Sequence, residues 1–584
     1  MRAAGTAGTG ASRGVRPSYA WRMRARGFSW GAAAVLLCSS VAHADEPIVQ
    51  RQTWSGHLGF FASGAPLAVD GPDADTTSVD QLAQPATVQV PAADLPPGAQ
   101  LIAAYLYWGS SIPNSECADI TDIDDSVDLS APDSALVPIV ADDCFCSVAG
   151  SMAYDVQLCR SDITASITTL EGEYAVSELD ALISNETTHH ASFSLVIVYW
   201  APELPPRRVA LYDGLLTMAN DTNVEEIITL GGLDIDDPAV GDLTWYVLEG
   251  DEGGSSGEGA EVTGLPGGAQ LTLADAINPA GNPMNHTINT TTPVQTESLG
   301  VDIDRFEIDA ALDPSDDAVQ LRFTAGIDKW WLAYGIVGVN VFEPVLADLS
   351  GKGWMLRDDA DGDGSPSSGD TIRFTIRLRN TGNAEAMVTV VDPIPMAAAS
   401  WALADAAGGT DASAGDTLIV EDIPLSVGGE ANVLVDVVLD DVAPGTEVVN
   451  VAEYVAQPGS VAGSLVAPAL VVGEPTAGDS TGVDSTGDDG VLDTSGTAGP
   501  ATDSGSGGAT SVGEETGSAP GSGSGTDAGP VTSASGLTVG SSGGATDTSG
   551  CGCTTNDPRH AGWAWALMGL GVVLTRRRRS AVGR

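Results

Sequence analysis

Between residues 45 and 473 the chain is a succession of short apolar runs, each closed by a turn, and this pattern limits the folds open to it more than any other feature. Leu101-Ile102-Ala103-Ala104-Tyr105-Leu106-Tyr107-Trp108 follows a Pro-Pro-Gly turn, and Phe193 to Trp200 stops at Ala201-Pro202. Leu332 to Phe342 is a third run, rich in Val and aromatic residues. Runs of this length and composition, punctuated by Gly and Pro, are strands. Helical spacing is confined mainly to 161–184, where Ile163, Ile167, Leu170 and Leu182 would share a helix face. The expected fold is all-β, built of antiparallel β-sandwich domains, with a barrel or a mixed α+β fold as alternatives. Residues 45–345 form one or two sandwiches in this reading. The pairs Tyr107-Trp108, Tyr199-Trp200 and Trp330-Trp331 offer rings that stack on sugars when exposed, but each lies in or beside an apolar run, which favours core packing.

At 584 residues several domains are expected, and charge is spread unevenly among them. Twelve of the 24 basic residues lie before residue 45 or after residue 550, together with one acid, Asp557; the stretch between keeps 12 bases against 78 acids, a net of −66. Such a surface excludes nucleic acid as a partner, because nucleic-acid binding needs Lys and Arg to neutralise phosphates. It favours divalent cations.

Both ends read as addresses. Arg22, Arg24 and Arg26 precede the apolar Gly31–Leu37, and Ala42-His43-Ala44 is a small-x-small cleavage site, so residues 1–44 are expected to be a signal peptide processed after Ala44. Residues 474–550 are almost wholly small and polar, the composition of a disordered stalk. Residues 551–584 hold Cys551-Gly552-Cys553, an apolar stretch read as a short transmembrane helix over 561–575, and four consecutive arginines that stay cytoplasmic by the positive-inside rule. About 14 apolar residues give roughly 21 Å of helix, short of the roughly 30 Å hydrocarbon core, with the arginines and Trp563 and Trp565 covering part of the difference. This order of parts resembles the myxobacterial C-terminal sorting signal, the MYXO-CTERM type. The resemblance implies a membrane-anchored, exported cell-surface protein, a sorting protease as a partner, and Cys551 or Cys553 as the processing or lipidation position. The phrases Ala104-Tyr105-Leu106-Tyr107-Trp108-Gly109 and Leu211-Tyr212-Asp213-Gly214 are similar to the amino-terminal region of other myxobacterial surface proteins, a likeness that implies fold and location but no activity.

Four cysteines remain between the two ends: Cys117, Cys144, Cys146 and Cys159. An even number in an exported chain predicts two disulfides, and their spacing is poor for zinc. A Cys144–Cys146 bond would close a strained ring, so each is expected to pair with Cys117 or Cys159, in either of two ways.

The sharpest chemical motif is Asp359-Ala360-Asp361-Gly362-Asp363-Gly364-Ser365-Pro366-Ser367-Ser368-Gly369-Asp370. Acids stand at positions 1, 3, 5 and 12 with Gly at 6, the spacing of an EF-hand-type calcium loop, and Ser365 would add its carbonyl. Asp359, Asp361, Asp363, Ser365 and Asp370 are therefore the candidate Ca2+ ligands, and a solvated Asp/Gly turn is the plainer alternative. Placed before the first strand of its domain, such an ion is expected to fix the angle to the preceding domain.

Thr371, Arg373, Thr375, Arg377 and Arg379 then alternate with Ile372, Phe374, Ile376 and Leu378, a period-two strand with one polar face. The order Gly-Asp, alternating strand, Asn380-Thr381-Gly382-Asn383, strand, Asp392-Pro393-Ile394-Pro395 is similar to the Ig-like "conserved repeat" of prokaryotic surface proteins. Across 346–473 it implies a spacer or adhesive module rather than an enzyme. The functional expectation is a surface-anchored structural or adhesion protein that meets surface polysaccharides or cell-surface proteins. The rivals are a carboxylate-type glycosidase, since 78 acids offer many pairs, and a calcium-dependent carbohydrate-binding protein. A histidine-based site is disfavoured, because the adjacent His189 and His190 would face opposite sides of a strand.

Overall fold

The computed structural model describes residues 46–473, apart from 72–77, 115–116, 118–122, 149–153, 185–188, 252–256, 348 and 460. Ala44, Cys551, Cys553, the stalk and the 561–575 helix lie outside the described residues. Every paired strand within them is antiparallel, and helix is limited to three short 3₁₀ turns. The helix expected over 161–184 is absent. That segment holds the end of the strand Tyr154–Asp162, the 3₁₀ turn Thr164–Ser166 and the strand Gly172–Ser177. Its apolar residues serve different cores: Ile163 and Ile167 pack beneath the first sheet pair, while Leu182 lies against the next core along. Spacing by three and four arose here from a turn.

Residues 46–345 form four sheets in layers. The first outer sheet runs Ala86–Val90, Gly172–Ser177, Ser126–Ser130, Val137–Val140. Against it lies the first inner sheet, Leu58–Pro66, Ala191–Trp200, Gln100–Pro113, Tyr154–Asp162, Asp143–Ser147. The second inner sheet runs Glu46–Gly56, Arg207–Ala219, Lys329–Asn340, Gly241–Leu248, Val301–Asp302, and it is covered by Glu225–Gly231, Ala318–Thr324, Gly259–Leu265 and Gln270–Thr272.

Side-chain alternation assigns each inner strand to two cores at once. In Ala191–Trp200, Phe193, Leu195 and Ile197 fill the first sandwich while Val196 and Val198 face the second inner sheet. In Gly241–Leu248, Leu243, Trp245 and Val247 fill the second sandwich while Tyr246 and Leu248 face the first. The two sandwiches thus share a middle core, and strands buried on both faces read as unbroken apolar runs. Five of the six residues in the Tyr-Trp and Trp-Trp pairs are buried, and Trp200 is partly buried. The chain also ties the layers: Glu46–Gly56 pairs with Arg207–Ala219 in the second sandwich, and the next strand, Leu58–Pro66, belongs to the first.

The middle core is not purely apolar. Tyr107 donates to Asp213 Oδ2 at 2.9 Å, and Arg160 forms ion pairs with Asp213 at 3.2 Å and Asp143 at 2.5 Å. Ser192 and Ser194 meet the hydroxyls of Tyr246 and Tyr334 at 2.6 and 2.7 Å. The two short phrases that carry the sequence likeness of 45–345 therefore touch, Tyr107 of one bonding Asp213 of the other. Gly109 and Gly214 are the close approaches within them: a Cβ would lie 2.8 Å from Leu248 at the first and 2.4 Å from the Pro47 carbonyl at the second.

Residues 346–473 form a two-layer sandwich. One sheet runs Gly351–Asp358, Thr371–Arg379, Glu430–Leu439, Ala398–Asp405; the other runs Thr410–Asp411, Thr417–Leu425, Ala386–Pro393, Val451–Gln457, Val461–Val466. Here the alternation is plain: Ile372, Phe374, Ile376 and Leu378 point into one core with Val433, Val435 and Val437. Inside that core Lys352 pairs with Asp392 at 2.7 Å, both side chains sealed from solvent. The Asn380–Asn383 turn docks on the preceding layers. Glu343 accepts from Ser55 at 2.8 Å and Arg208 at 2.5 Å, and its backbone N–H donates to Asn383 Oδ1 at 2.9 Å. His57 bridges the same joint, Nδ1 at 2.6 Å from Leu204 O and Nε2 at 3.1 Å from Thr381 O.

Candidate functional site

The pairings open to the cysteines are resolved as Cys117–Cys146 and Cys144–Cys159. Cys144 and Cys159 stand directly opposite on neighbouring strands, which puts their Cα atoms 4.0 Å apart. The two bridges tie down one edge of the first inner sheet and point to an oxidising compartment.

The Asp-rich loop leaves the end of Gly351–Asp358 and returns into Thr371–Arg379. Gly362 and Gly364 take φ of +79° and +80°, the left-handed turn that a side chain would resist. Each carboxylate then organises the backbone ahead of it. Asp359 accepts from Gly362 N at 2.7 Å and Gly364 N at 2.8 Å, and Asp363 accepts from Ser365 N at 2.7 Å. The Gly364 N–H, with that of Gly362, holds the Asp359 carboxyl below its usual range.

Asp359, Asp361 and Asp363 bring carboxylate oxygens within 4.8 Å of one another, an acidic cluster fit to hold a metal ion. Asp370 does not join them. It is fully buried and accepts from Ala360 N and Ser367 N, each at 2.7 Å, so it closes the loop from behind. The loop does not border the preceding domain. The joint lies at Asn380–Asn383, a strand of nine residues away, about 30 Å at about 3.3 Å per residue. The loop instead meets the end of its own domain, where Gly473 N donates to Pro366 O at 2.6 Å. An ion here bears on the exit toward residue 474, and the expectation that it fixes the angle to the domain before it is overturned.

A second acidic cluster joins Glu249, Asp251 and Asp328, again with oxygens within 4.8 Å. Glu249 follows the strand Gly241–Leu248 at φ +66°, and Asp328 immediately precedes Lys329–Asn340, the strand that pairs with it. Burial, then the charges of Asp328, Asp251 and Glu258, pushes Glu249 well above the carboxylate range, with Lys329 opposing. Burial and Asp251 raise Asp328 to about 6. No local spacing announces this cluster, because its members come from segments far apart in the chain.

Asp302 and Asp304 form a third close pair, both fully buried. Asp302 accepts from Trp245 Nε1 at 2.7 Å and Asn285 N at 2.9 Å, and Asp304 accepts from Asn289 N at 2.9 Å. Burial and the charge of Asp304 hold Asp302 well above its usual range; burial raises Asp304 to about 6. Both carboxyls are sealed from solvent and already taken by donors of the protein, so neither is presented to a sugar as the carboxylates of a glycosidase are. The pair anchors the 285–290 segment.

No protein-family model matches the chain, and no curated protein sequence matches it. Among solved structures it is similar to a putative β-galactosidase of Bacteroides fragilis (12% identity, 45% of this chain and 32% of that one, TM-score 0.13). It is also similar to the Bifidobacterium dentium β-glucuronidase complexed with coumarin-3-O-glucuronide (8%, 46% and 42%, TM-score 0.16) and to the Fcho1 mu homology domain of Danio rerio with bound Eps15 peptide (10%, 46% and 90%, TM-score 0.14). The chain spans about a third of the first of these and under half of the second. At such TM-scores none of them bears on what the chain does.

Proposed function

We propose that the chain is a cell-surface-anchored structural or adhesion protein whose Ig-like module is stabilised by calcium. The observation that carries this reading is the joint: the Asn380–Asn383 turn is bonded to the layered domain through Glu343 N–H to Asn383 Oδ1, Asn383 Nδ2 to Asp236 Oδ2 and His57 Nε2 to Thr381 O. A spacer that must hold its shape outside the cell needs such a joint, and the two disulfides suit the same setting. Residues 474–550 then act as the stalk, and 551–584 as a tail of the MYXO-CTERM type, retained or processed near Cys551 or Cys553. Asp359, Asp361 and Asp363 would hold the ion; Asp370 and the Ser365 N–H set the loop that presents them. Calcium would there neutralise three crowded carboxylates and stiffen the exit toward the stalk.

Deleting 551–584 is expected to release the protein from cells into the medium; equal retention on cells refutes the anchoring. Calcium at 100-fold over its Kd is expected to add about 2.7 kcal/mol of stability, and Asp361→Ala to abolish that gain at this loop.

A further inference from the structure

We propose that Glu249, Asp251 and Asp328, backed by Glu258, form a second calcium site, which closes one end of the second sandwich. The geometry is that of a clamp. Glu249 and Asp328 lie at adjoining ends of two paired strands of the inner sheet, and Glu258 immediately precedes Gly259–Leu265 of the sheet packed over it. The ligand oxygens of Glu249, Asp251 and Asp328 already converge within 4.8 Å.

An acidic cluster alone would say little, but Glu249 adds an independent sign. Its side chain is 2% exposed, and among the described residues both of its carboxylate oxygens are sealed from solvent without a hydrogen-bond donor. A buried carboxylate without a hydrogen-bond donor is costly, and folded chains rarely keep one. Two other buried carboxylates of the same sandwich, Asp302 and Asp304, are each met by backbone N–H groups, so the fold supplies donors where an acid is only structural. At Glu249 it supplies more acids instead. Lys329 is in electrostatic range, one cation against four carboxylates.

The donor set selects the ion. All the ligands are hard carboxylate oxygens, without nitrogen or sulfur, which disfavours zinc and copper. Calcium accepts six to eight oxygens in irregular geometry, whereas magnesium demands a near-ideal octahedron and retains its waters.

The test is calcium titration by calorimetry on the chelator-stripped, disulfide-oxidised full chain, beside the Glu249→Gln and Asp361→Asn variants. The expected result is that Glu249→Gln loses one bound calcium per chain that Asp361→Asn retains. Unchanged stoichiometry in Glu249→Gln overturns the proposal and leaves Glu249 a buried neutral acid. Where Glu249→Gln does not fold, Asp328→Asn, at a half-buried position, reads the same equivalent. The parent chain gives a check without substitution: calcium is expected to slow amide exchange across 318–331, and equal rates with and without it refute the site. Loss of binding in Asp361→Asn bears only on the 359–370 loop, so the two sites stand or fall separately.

Discussion

The layered domain and the 346–473 sandwich are built from the same antiparallel strands, yet they bury polar groups in different ways. In the 346–473 sandwich strands such as Thr371–Arg379 and Glu430–Leu439 have a dry face and a wet face, and the core carries the ion pair Lys352–Asp392. In the layered domain the central inner strands, such as Ala191–Trp200 and Gly241–Leu248, have no wet face. Polar residues that would otherwise alternate toward water are enclosed between sheets, so Tyr107 and Arg160 meet Asp213 while Ser192 and Ser194 meet the hydroxyls of Tyr246 and Tyr334. A third covered surface converts ordinary strand alternation into a buried network.

Cutting each arrangement at a charge gives the largest expected effects. Lys352→Met leaves Asp392 buried without its cation and is expected to cost about 3–5 kcal/mol, with increased amide exchange confined to 346–473. Pairing it with Asp392→Leu is expected to recover most of the loss, because a lone ion pair can be replaced by apolar bulk. Asp213→Ala is expected to cost about 3 kcal/mol or more and to raise exchange in both inner sheets. No single second substitution is expected to rescue it, since Tyr107, Arg160 and Asp143 all remain. Full rescue by one apolar partner would mean that the middle layer is no more networked than the core of 346–473.

The same contrast explains what the sequence disclosed. The strands of 346–473 declare themselves because one solvent face imposes polar alternation, as in Thr371 to Arg379. The unbroken runs at 101–108 and 193–200 signal strands, but not which neighbour covers the second face. Ile163 and Ile167 imitated a helix because a turn places both beneath one sheet. Asp359, Asp361 and Asp363 were legible as a cluster because they lie in one local turn. Asp370 shares their spacing but turns inward, where backbone N–H groups claim it. Glu249 gave no signal, since its partners at 258 and 328 are brought together only by strand pairing.

Acid is expected to affect the two domains in opposite directions. Asp304 is raised by burial to about 6 from an ordinary 3.8, so its contribution to stability is fully present below about pH 4 and is lost as pH rises through about 6. The span corresponds to roughly 3 kcal/mol. Asp436 in the 346–473 sandwich is lowered instead, chiefly by the hydrogen bonds it accepts from Arg373, so its contribution is present at neutral pH and is lost only as pH falls through its depressed value. Asp392, raised by burial beside Lys352, is the exception in that domain. In chelator, moving from pH 7 to pH 4.5 is expected to raise amide protection, measured against the intrinsic exchange rate at each pH, across the layered domain without raising it in Thr371–Arg379. Asp304→Asn is expected to remove its share of the first effect, with Glu249, Asp302 and Asp328, all raised chiefly by burial, carrying the rest, and an unchanged pH response in that variant would place the whole effect in those groups.

The smallest effect separates the domains by one substitution made twice. Ser194 lies in the middle of Ala191–Trp200, and Ser400 lies exposed on Ala398–Asp405. Strand propensity alone favours Val over Ser at both positions. At Ser400 the side chain faces water, so Ser400→Val is expected to change stability by no more than about 0.5 kcal/mol. At Ser194 the hydroxyl donates to Ser63 O at 3.2 Å and lies 2.7 Å from the Tyr334 hydroxyl, which is sealed in the middle layer. Valine would leave that phenol without its partner, a loss of about 1–3 kcal/mol that the added methyl burial does not offset. Chemical denaturation of the two variants measures the difference. Equal midpoints would mean that Tyr334 finds another partner, and that the middle layer tolerates apolar substitution as readily as an exposed edge.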